Sequence, residues 1–328
     1  MPLIQRKGAQ SSQGFGEFSA AVGGGDGTKG IFALGYNTPS ALTTRNKYTY
    51  SSCTSTACGV GAASVASYGG SAAGNSTRGI FALGYVSSLP STTRNKYTYS
   101  SCTSTACGVG AASAGSNSGS AAGNSTRGIF ALGGGLTTRN KYTYASCTST
   151  ASGVAASSAG STGGAAAGNL TRGIFSLGMN SVGCYTTTRN KYTYACCTST
   201  ASGVAVASQR GGCLSGAAGN STRGIFTLGL YVCACNFYYS ANRNKYTYAS
   251  CTSTACGVGA AQSSTSSGSA AGNSTRGIFS IGCRAGTGGT TIRNKYTYAS
   301  CTNTACVGAA SQTSKYNSAV SWATCVNS

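Results

Sequence analysis

The chain has 328 residues but no histidine, one tryptophan, three prolines and only two acidic residues, Glu17 and Asp26. General acid–base chemistry draws mostly on His, Asp and Glu, and a Ser or Cys nucleophile here would have no evident base. No single lysine or tyrosine stands out from its repeated copies either, so the chain is expected not to be an enzyme. Two carboxylates cannot answer 23 Lys and Arg, so surface ion pairs cannot hold the fold together. No apolar run reaches the length of a membrane-crossing helix, and no membrane span is expected. Residues Met1 to Lys7 lack the apolar core of a signal peptide, which argues against conventional secretion. With no histidine and no Cys-x2-Cys pair, zinc is disfavoured, and neither a metal nor another cofactor is expected.

What is present is a repeat. Phe32, Phe81, Phe130, Phe175, Phe226 and Phe279 head six copies of one segment, at spacings of 45 to 53 residues. Each copy carries a matching Lys-Tyr-Thr-Tyr, whose first tyrosines are Tyr48, Tyr97, Tyr142, Tyr192, Tyr246 and Tyr296. A period near 50 points to a propeller or a solenoid, whose units cannot bury their faces alone. Glycine is abundant, at 50 residues, and only 8% of the chain is charged. Such composition often means disorder, but the Ile-Phe-Ala-Leu and Lys-Tyr-Thr-Tyr runs are too apolar to stay solvated.

In the second copy, Arg78 to Gly84 is a nearly continuous apolar run bounded by glycine, the pattern of a strand buried on both faces. Arg94 to Tyr99 alternates, with Tyr97 and Tyr99 on one side and Arg94, Lys96 and Thr98 on the other. That pattern is read as a strand with one wet face. The small apolar stretch 108–113 is read as a further strand, although its glycines pack poorly there. Ser120-Ala121-Ala122 opens the next unit. Each repeat is thus assigned four strands, here lettered a to d: Ser-Ala-Ala (a), Gly-Ile-Phe-Ala-Leu-Gly (b), Lys-Tyr-Thr-Tyr (c) and Gly-Val-Gly-Ala-Ala (d). Four short antiparallel strands at this period make a propeller blade. The expected fold is all-β, a six-bladed β-propeller of four-stranded antiparallel blades over residues 19–328, preceded by a short anchor at residues 1–18. Residues 317–324 resemble another strand a and would close the ring by pairing with the first blade. An open solenoid or stacked sheet is the competing architecture.

The order of small-residue strand, turn, Ile-Phe-x-Leu-Gly, variable loop, Asn-Lys-Tyr-x-Tyr, turn and Thr resembles the kelch repeat. Kelch units usually have Gly-Gly after strand b, which only Gly133-Gly134 shows clearly, and a tryptophan after strand c, whereas Trp322 lies outside the repeats. The resemblance implies an interaction scaffold.

Strand alternation puts the a–b turn and the Ser-Cys-Thr-Ser-Thr-Ala-Cys turn at one end of every blade, and both are nearly constant. The b–c and d–a loops share the other end and vary. Binding usually sits on variable loops held by a rigid scaffold. The aromatic stretch at residues 230–239, with Tyr231, Phe237, Tyr238 and Tyr239, is the contact candidate, suited to sugar rings or a protein partner. For most other loops, the variation reads as drift.

A net charge of +21 favours polyanionic partners. Strand c contributes Arg45, Lys47, Arg94, Lys96, Arg139, Lys141, Arg189, Lys191, Arg243, Lys245, Arg293 and Lys295, expected as basic rings. The a–b turn adds Lys29, Arg78, Arg127, Arg172, Arg223 and Arg276. Acidic host-surface polysaccharide, lipopolysaccharide or an acidic protein neighbour is the expected partner, and the sign of the charge does not choose among them. Sequence-specific nucleic-acid reading is not expected, since no such module is present.

Four repeats carry Cys-x4-Cys: Cys53/Cys58, Cys102/Cys107, Cys251/Cys256 and Cys301/Cys306. If Thr-Ser-Thr-Ala is a hairpin loop, each pair can face across two strands as a disulfide. The third repeat has Ser152 and the fourth Ser202 at the second position, so the pair is no essential staple. The Asn-x-Thr triplets at Asn75, Asn124, Asn169, Asn220 and Asn273 read as turn formers.

The leader Pro2 to Gly16 resembles short leaders found before repeat modules in tail-associated structural proteins of bacteriophages. That resemblance implies a virion protein assembled in the host cytoplasm, a tail or fibre component that binds the host surface or docks to other virion proteins, as part of an oligomeric assembly. A bacterial kelch-like adhesin or interaction scaffold is the alternative.

Overall fold

The computed structural model describes residues 29–321 except positions 34, 38–39, 58–60, 107–109, 152, 182–183, 202–203, 208–215, 234–235, 256–264, 267, 281–282, 285–289, 306–308 and 312–317. For the strands within 230–239, 265–266, 283–284 and 318–321, only the backbone is described. The anchor assigned to residues 1–18 lies outside the described residues.

Six four-stranded antiparallel sheets follow one another around an axis. Lettered outward from the axis, blade 2 consists of Ser71–Gly74 (a), Arg78–Ala82 (b), Arg94–Thr98 (c) and Thr103–Ala106 (d). Blade 3 has Ser120–Gly123, Arg127–Ala131, Arg139–Thr143 and Thr148–Thr150. Blade 4 has Ala165–Gly168, Arg172–Ser176, Arg189–Thr193 and Thr198–Thr200. Blade 5 has Ala217–Gly219, Arg223–Thr227, Arg243–Thr247 and Thr252–Ala255. Blade 6 has Ser269–Gly272, Arg276–Ser280, Arg293–Thr297 and Thr302–Ala305.

Blade 1 is composite. Its strands b to d are Lys29–Ala33, Arg45–Thr49 and Thr54–Ala57, while Ser318–Ser321 supplies strand a in the register Gly30↔Ser321 to Ala33↔Ser318. That strand also touches strand a of blades 2 and 6, so the ring is closed. The closing strand expected at residues 317–324 is therefore present, and the open alternatives fall away. Among the described residues no helix is long and apolar enough to cross a membrane.

The core is divided among six junctions. Strand b is buried on both faces because each face meets a different neighbour. In blade 2, Ile80 packs on Phe130, Tyr142 and Tyr144 of blade 3, while Phe81 packs on Ile31 of blade 1. The same set recurs at every junction and returns to blade 1, where Ile278 of blade 6 meets Phe32, Tyr48 and Tyr50. Each buried Ile or Phe contributes about 1.5–3 kcal/mol.

Close approach explains the glycines of strands a and b. Gly168 and Gly173 are direct cross-strand partners. A Cβ on them would lie 2.7 and 2.9 Å from Tyr194 Oη. The second tyrosine of each Lys-Tyr-Thr-Tyr thus needs a bare backbone beneath its hydroxyl.

Two strand readings require correction. Strand d is not the Gly-Val-Gly-Ala-Ala stretch. It is Thr-Ser-Thr-Ala, which pairs with strand c from Thr98↔Thr103 to Asn95↔Ala106, and so is not a hairpin loop. It is the outermost strand, with little apolar surface to bury. The stretch after it is a connector running across the next junction: Gly110, at φ +81°, leaves room for the Tyr142 ring and Cys147 O of blade 3.

Strand c, in turn, is only partly wet on the face opposite its tyrosines. A blade in a closed ring is covered on both sides, so Arg94 and Asn95 are both buried and only Lys96 and Thr98 are half-buried.

Candidate binding faces

The strand-c arginines expected in a solvent-facing ring are interior. Arg45, Arg94, Arg139, Arg189, Arg243 and Arg293 are at most 1% exposed. Each crosses to the following blade. Arg45 donates to Gly61 O at 2.6 Å, to Ser104 Oγ and to Asn95 Oδ1 at 3.3 Å, and its guanidinium lies 4.5 Å from the Phe81 ring centre. Arg94, Arg139 and Arg189 repeat this bridge onto Asn140, Asn190 and Asn244. Arg243 meets Asn303 instead of a serine, at 2.7 Å. Arg293 closes the ring on Ser55 and Asn46 of blade 1.

Burying a cation costs several kcal/mol. Here neutral oxygens and ring faces offset that cost, with charge-assisted bonds worth about 1.5–3 kcal/mol each and a desolvated cation–π contact about 2. The residual penalty appears in the charge equilibrium: burial pulls Arg139 and Arg189 down to about 10.

The constant end is constant because its side chains join blades. Asn75 Oδ1 accepts from the backbone N–H of Thr77 and Arg78, forming the expected turn, and Asn75 Nδ2 donates to Ser125 O of blade 3 at 3.1 Å. Asn124, Asn169 and Asn220 do the same for the next junctions. Arg78 Nη1 donates to Tyr144 O of blade 3 at 2.9 Å, and Arg127, Arg172, Arg223 and Arg276 repeat that bond.

The first cysteine of each Cys-x4-Cys, together with Cys147 and Cys197, occupies the c–d turn in the left-handed region, at φ between 53° and 55°. A non-glycine residue is uncommon there. Cys58, Cys107, Cys256 and Cys306 lie outside the described residues, and with them the second half of every proposed disulfide.

The opposite end holds the variable loops. Hairpins rise from blade 1 (Tyr36–Asn37 with Ser40–Ala41), blade 2 (Tyr85–Val86 with Leu89–Pro90) and blade 5 (Leu230–Cys233 with Asn236–Tyr239). In blade 3 a tight turn, Leu136 N–H to Gly133 O at 2.9 Å, replaces the hairpin. Along the axis, Gly, Ser and Ala of the innermost strands line a shallow uncharged funnel at this end, with Ser71, Ser120 and Ser269 on its wall. In the blade 5 hairpin Tyr231 pairs with Tyr238, Val232 with Phe237 and Leu230 with Tyr239. The side chains of Tyr231, Phe237, Tyr238 and Tyr239 are outside those described.

A second aromatic group was not singled out from the sequence. Tyr68, from the d–a segment, stacks on Tyr85 of the blade 2 hairpin at 5.1 Å, and Tyr36 of the blade 1 hairpin meets Tyr68 edge-on at 5.3 Å. All three are half-buried, and Leu89 at the hairpin tip is 70% exposed. Leu42, Thr43, Tyr68 and Leu83 line a narrow slot beneath. Nothing in the sequence marks this group, since its members are single tyrosines in three separate loops spread over two repeats.

Charge divides between the ends. Arg210, Arg284 and Lys315 are the only charged residues in the variable loops, apart from the buried arginines that start strand c, and their side chains are outside those described. The half-buried cations of the a–b turns lie at the constant end, and those of mid-strand c lie near the rim.

No protein-family model matches the chain, and a comparison with curated proteins returns no match.

Proposed function

We propose that the protein is a non-catalytic binding scaffold of a bacteriophage virion, a kelch-like propeller in a tail or fibre component. Its b–c and d–a loops meet the host surface or a neighbouring subunit. The observation that carries the scaffold role is the division of labour between the two ends. Constant residues are engaged in blade-to-blade bonds, whereas the loops that differ from blade to blade project from one face and carry Tyr36, Tyr68, Tyr85 and Leu89.

That face has hydroxyls, rings and little charge, a surface suited to neutral sugars or to the apolar centre of a protein interface. The leader resemblance supports the virion setting. Catalysis is set aside because the chain has no imidazole and its two carboxylates, Glu17 and Asp26, both precede the first described strand.

Immunogold electron microscopy with antibody to the propeller, on particles and on cells of the source culture, tests the setting. Label on tails or fibres is expected. Label restricted to the cell envelope, with bare particles, would replace the virion role with that of a bacterial adhesin.

A further inference from the structure

At the constant end, the junction of blades 2 and 3 brings two cations of blade 2 against the c–d turn of blade 3. Arg78 Nη1, while bonded to Tyr144 O, lies 3.6 Å from Cys147 Sγ. Lys96 is two residues beyond Arg94 on strand c, so it faces the same blade. The charges of Arg78 and Lys96 both act on Cys147. Burial pushes that thiol up, but the Tyr142 hydroxyl and the two cations together hold it below the ordinary thiol value. Arg78, Lys96 and Cys147 are half-buried, and Ser146 and Thr148 beside them are exposed.

The contact recurs at Arg127 with Cys197, Arg172 with Cys251 and Arg223 with Cys301, at 3.9, 3.9 and 4.0 Å. No described residue is acidic, so two cations converge on one point with no counter-charge from the blades.

We propose that each of these notches binds a phosphate or sulfate group between the guanidinium and the ammonium, and that the ring of notches grips a polysaccharide carrying such groups. Several weak sites at fixed spacing bind a polymer far more tightly than any one of them binds a single ion. A nucleic acid is the poorer fit, because base stacking needs exposed rings and Tyr142 and Tyr144 at the junction are buried. The surface lies at the end opposite the variable loops and does not rest on the function proposed for them.

Cys147 is a built-in reporter. Its repeat has Ser152 in place of a second cysteine, so its tryptic peptide is distinct. Alkylation by iodoacetamide is followed by mass spectrometry in inorganic phosphate and in chloride at equal ionic strength. Phosphate is expected to slow modification of Cys147 several-fold. Lys96→Gln should abolish that protection, and Lys96→Arg should keep it. Lys141→Gln should leave Cys147 protected and unprotect Cys197.

Equal rates in phosphate and chloride, or protection that survives Lys96→Gln, would overturn the notch. In a second arm, dextran sulfate should retain the protein while neutral dextran does not. The variant combining Lys96→Gln, Lys141→Gln and Lys191→Gln should elute at lower salt, with its melting temperature no lower than that of the wild type. Elution at the wild-type salt concentration would remove the ring from the argument. Tighter binding to single-stranded DNA than to dextran sulfate would overturn the choice of polysaccharide.

Discussion

Arg139 of blade 3 donates to Asn190 Oδ1 of blade 4 at 3.1 Å, and the same oxygen accepts the Ser158 N–H of the connector at 3.0 Å. One amide therefore joins a blade, its neighbour and the strap between them. Arg139→Ala removes the cation–π contact with Phe175 and leaves the Asn190 and Ser199 oxygens short of a donor. A loss of about 2–4 kcal/mol is expected. Arg139→Lys should recover less than half, because an ammonium cannot reach both oxygens in the guanidinium geometry. Urea denaturation of the two variants measures both effects.

Tyr194 shows the opposite balance. Its hydroxyl is buried and has no hydrogen-bond partner among the described residues, and it sits where a Cβ on Gly173 would come within 2.9 Å. Tyr194→Phe is therefore expected to be neutral or to stabilise by up to about 1 kcal/mol. Gly173→Ala should cost about 1–3 kcal/mol by overpacking. The double variant should cost less than the sum of the two, and part of the penalty should remain, because the Phe175 ring and the Ala122 Cβ also crowd that position. A double-mutant cycle read by thermal melting gives the coupling.

The stability profile against pH should be unusual. With no described carboxylate and no histidine, no described side chain titrates between pH 3 and 7, so the melting temperature should be nearly flat across that range. At high pH two groups oppose each other. Burial holds Tyr99, Tyr192, Tyr194, Tyr246, Tyr248 and Tyr298 above the ordinary tyrosine value. Their stabilisation is complete below about pH 10, where the unfolded tyrosine titrates, and is lost as pH rises toward the folded values. Arg139 and Arg189, lowered to about 10, destabilise the folded state at lower pH and are relieved above that value. Six tyrosines outweigh two arginines, so stability should fall above pH 10. Tyrosinate absorbance should rise together with the loss of β-sheet circular dichroism. Full tyrosinate formation, the buried tyrosines included, well before unfolding would contradict their burial.

Salt should stabilise this protein. Ordinary ion pairs weaken when screened, but here the cations have no described acidic partner and only repel one another. At 0.1 M ionic strength the screening length is about 10 Å, and the repulsion spread over the rim is reduced. Adding sodium chloride from low ionic strength should raise the melting temperature by several degrees. A decrease would show that attractive pairs dominate.

Much of this architecture can be read from the repeats. Strands a, b and c stand where small residues, Ile-Phe and alternating tyrosines put them, and the closing strand at Ser318–Ser321 shows itself by its likeness to Ser-Ala-Ala. Strand d escapes because Thr-Ser-Thr-Ala lies on the outer edge, where a strand needs backbone partners and little apolar surface. The connector misleads for the opposite reason: residues 110–113 pass over a junction, and Ala112 is buried there without belonging to a sheet. The strand-c arginines are hidden from sequence reasoning because alternation tells which residues share a face and not what covers it. The Tyr36–Tyr68–Tyr85 group exists only after the ring brings two loops from different repeats together.

The Arg–Asn bridge is chemically almost the same at five of the six junctions. At those junctions the bridge cannot tell a blade's proper neighbour from another; the order of the polypeptide dictates who sits next to whom. During refolding, any blade of one molecule fits against any blade of another, so crowded chains can exchange parts and assemble into linked rings. Dilution, or synthesis one chain at a time, is what keeps each ring its own.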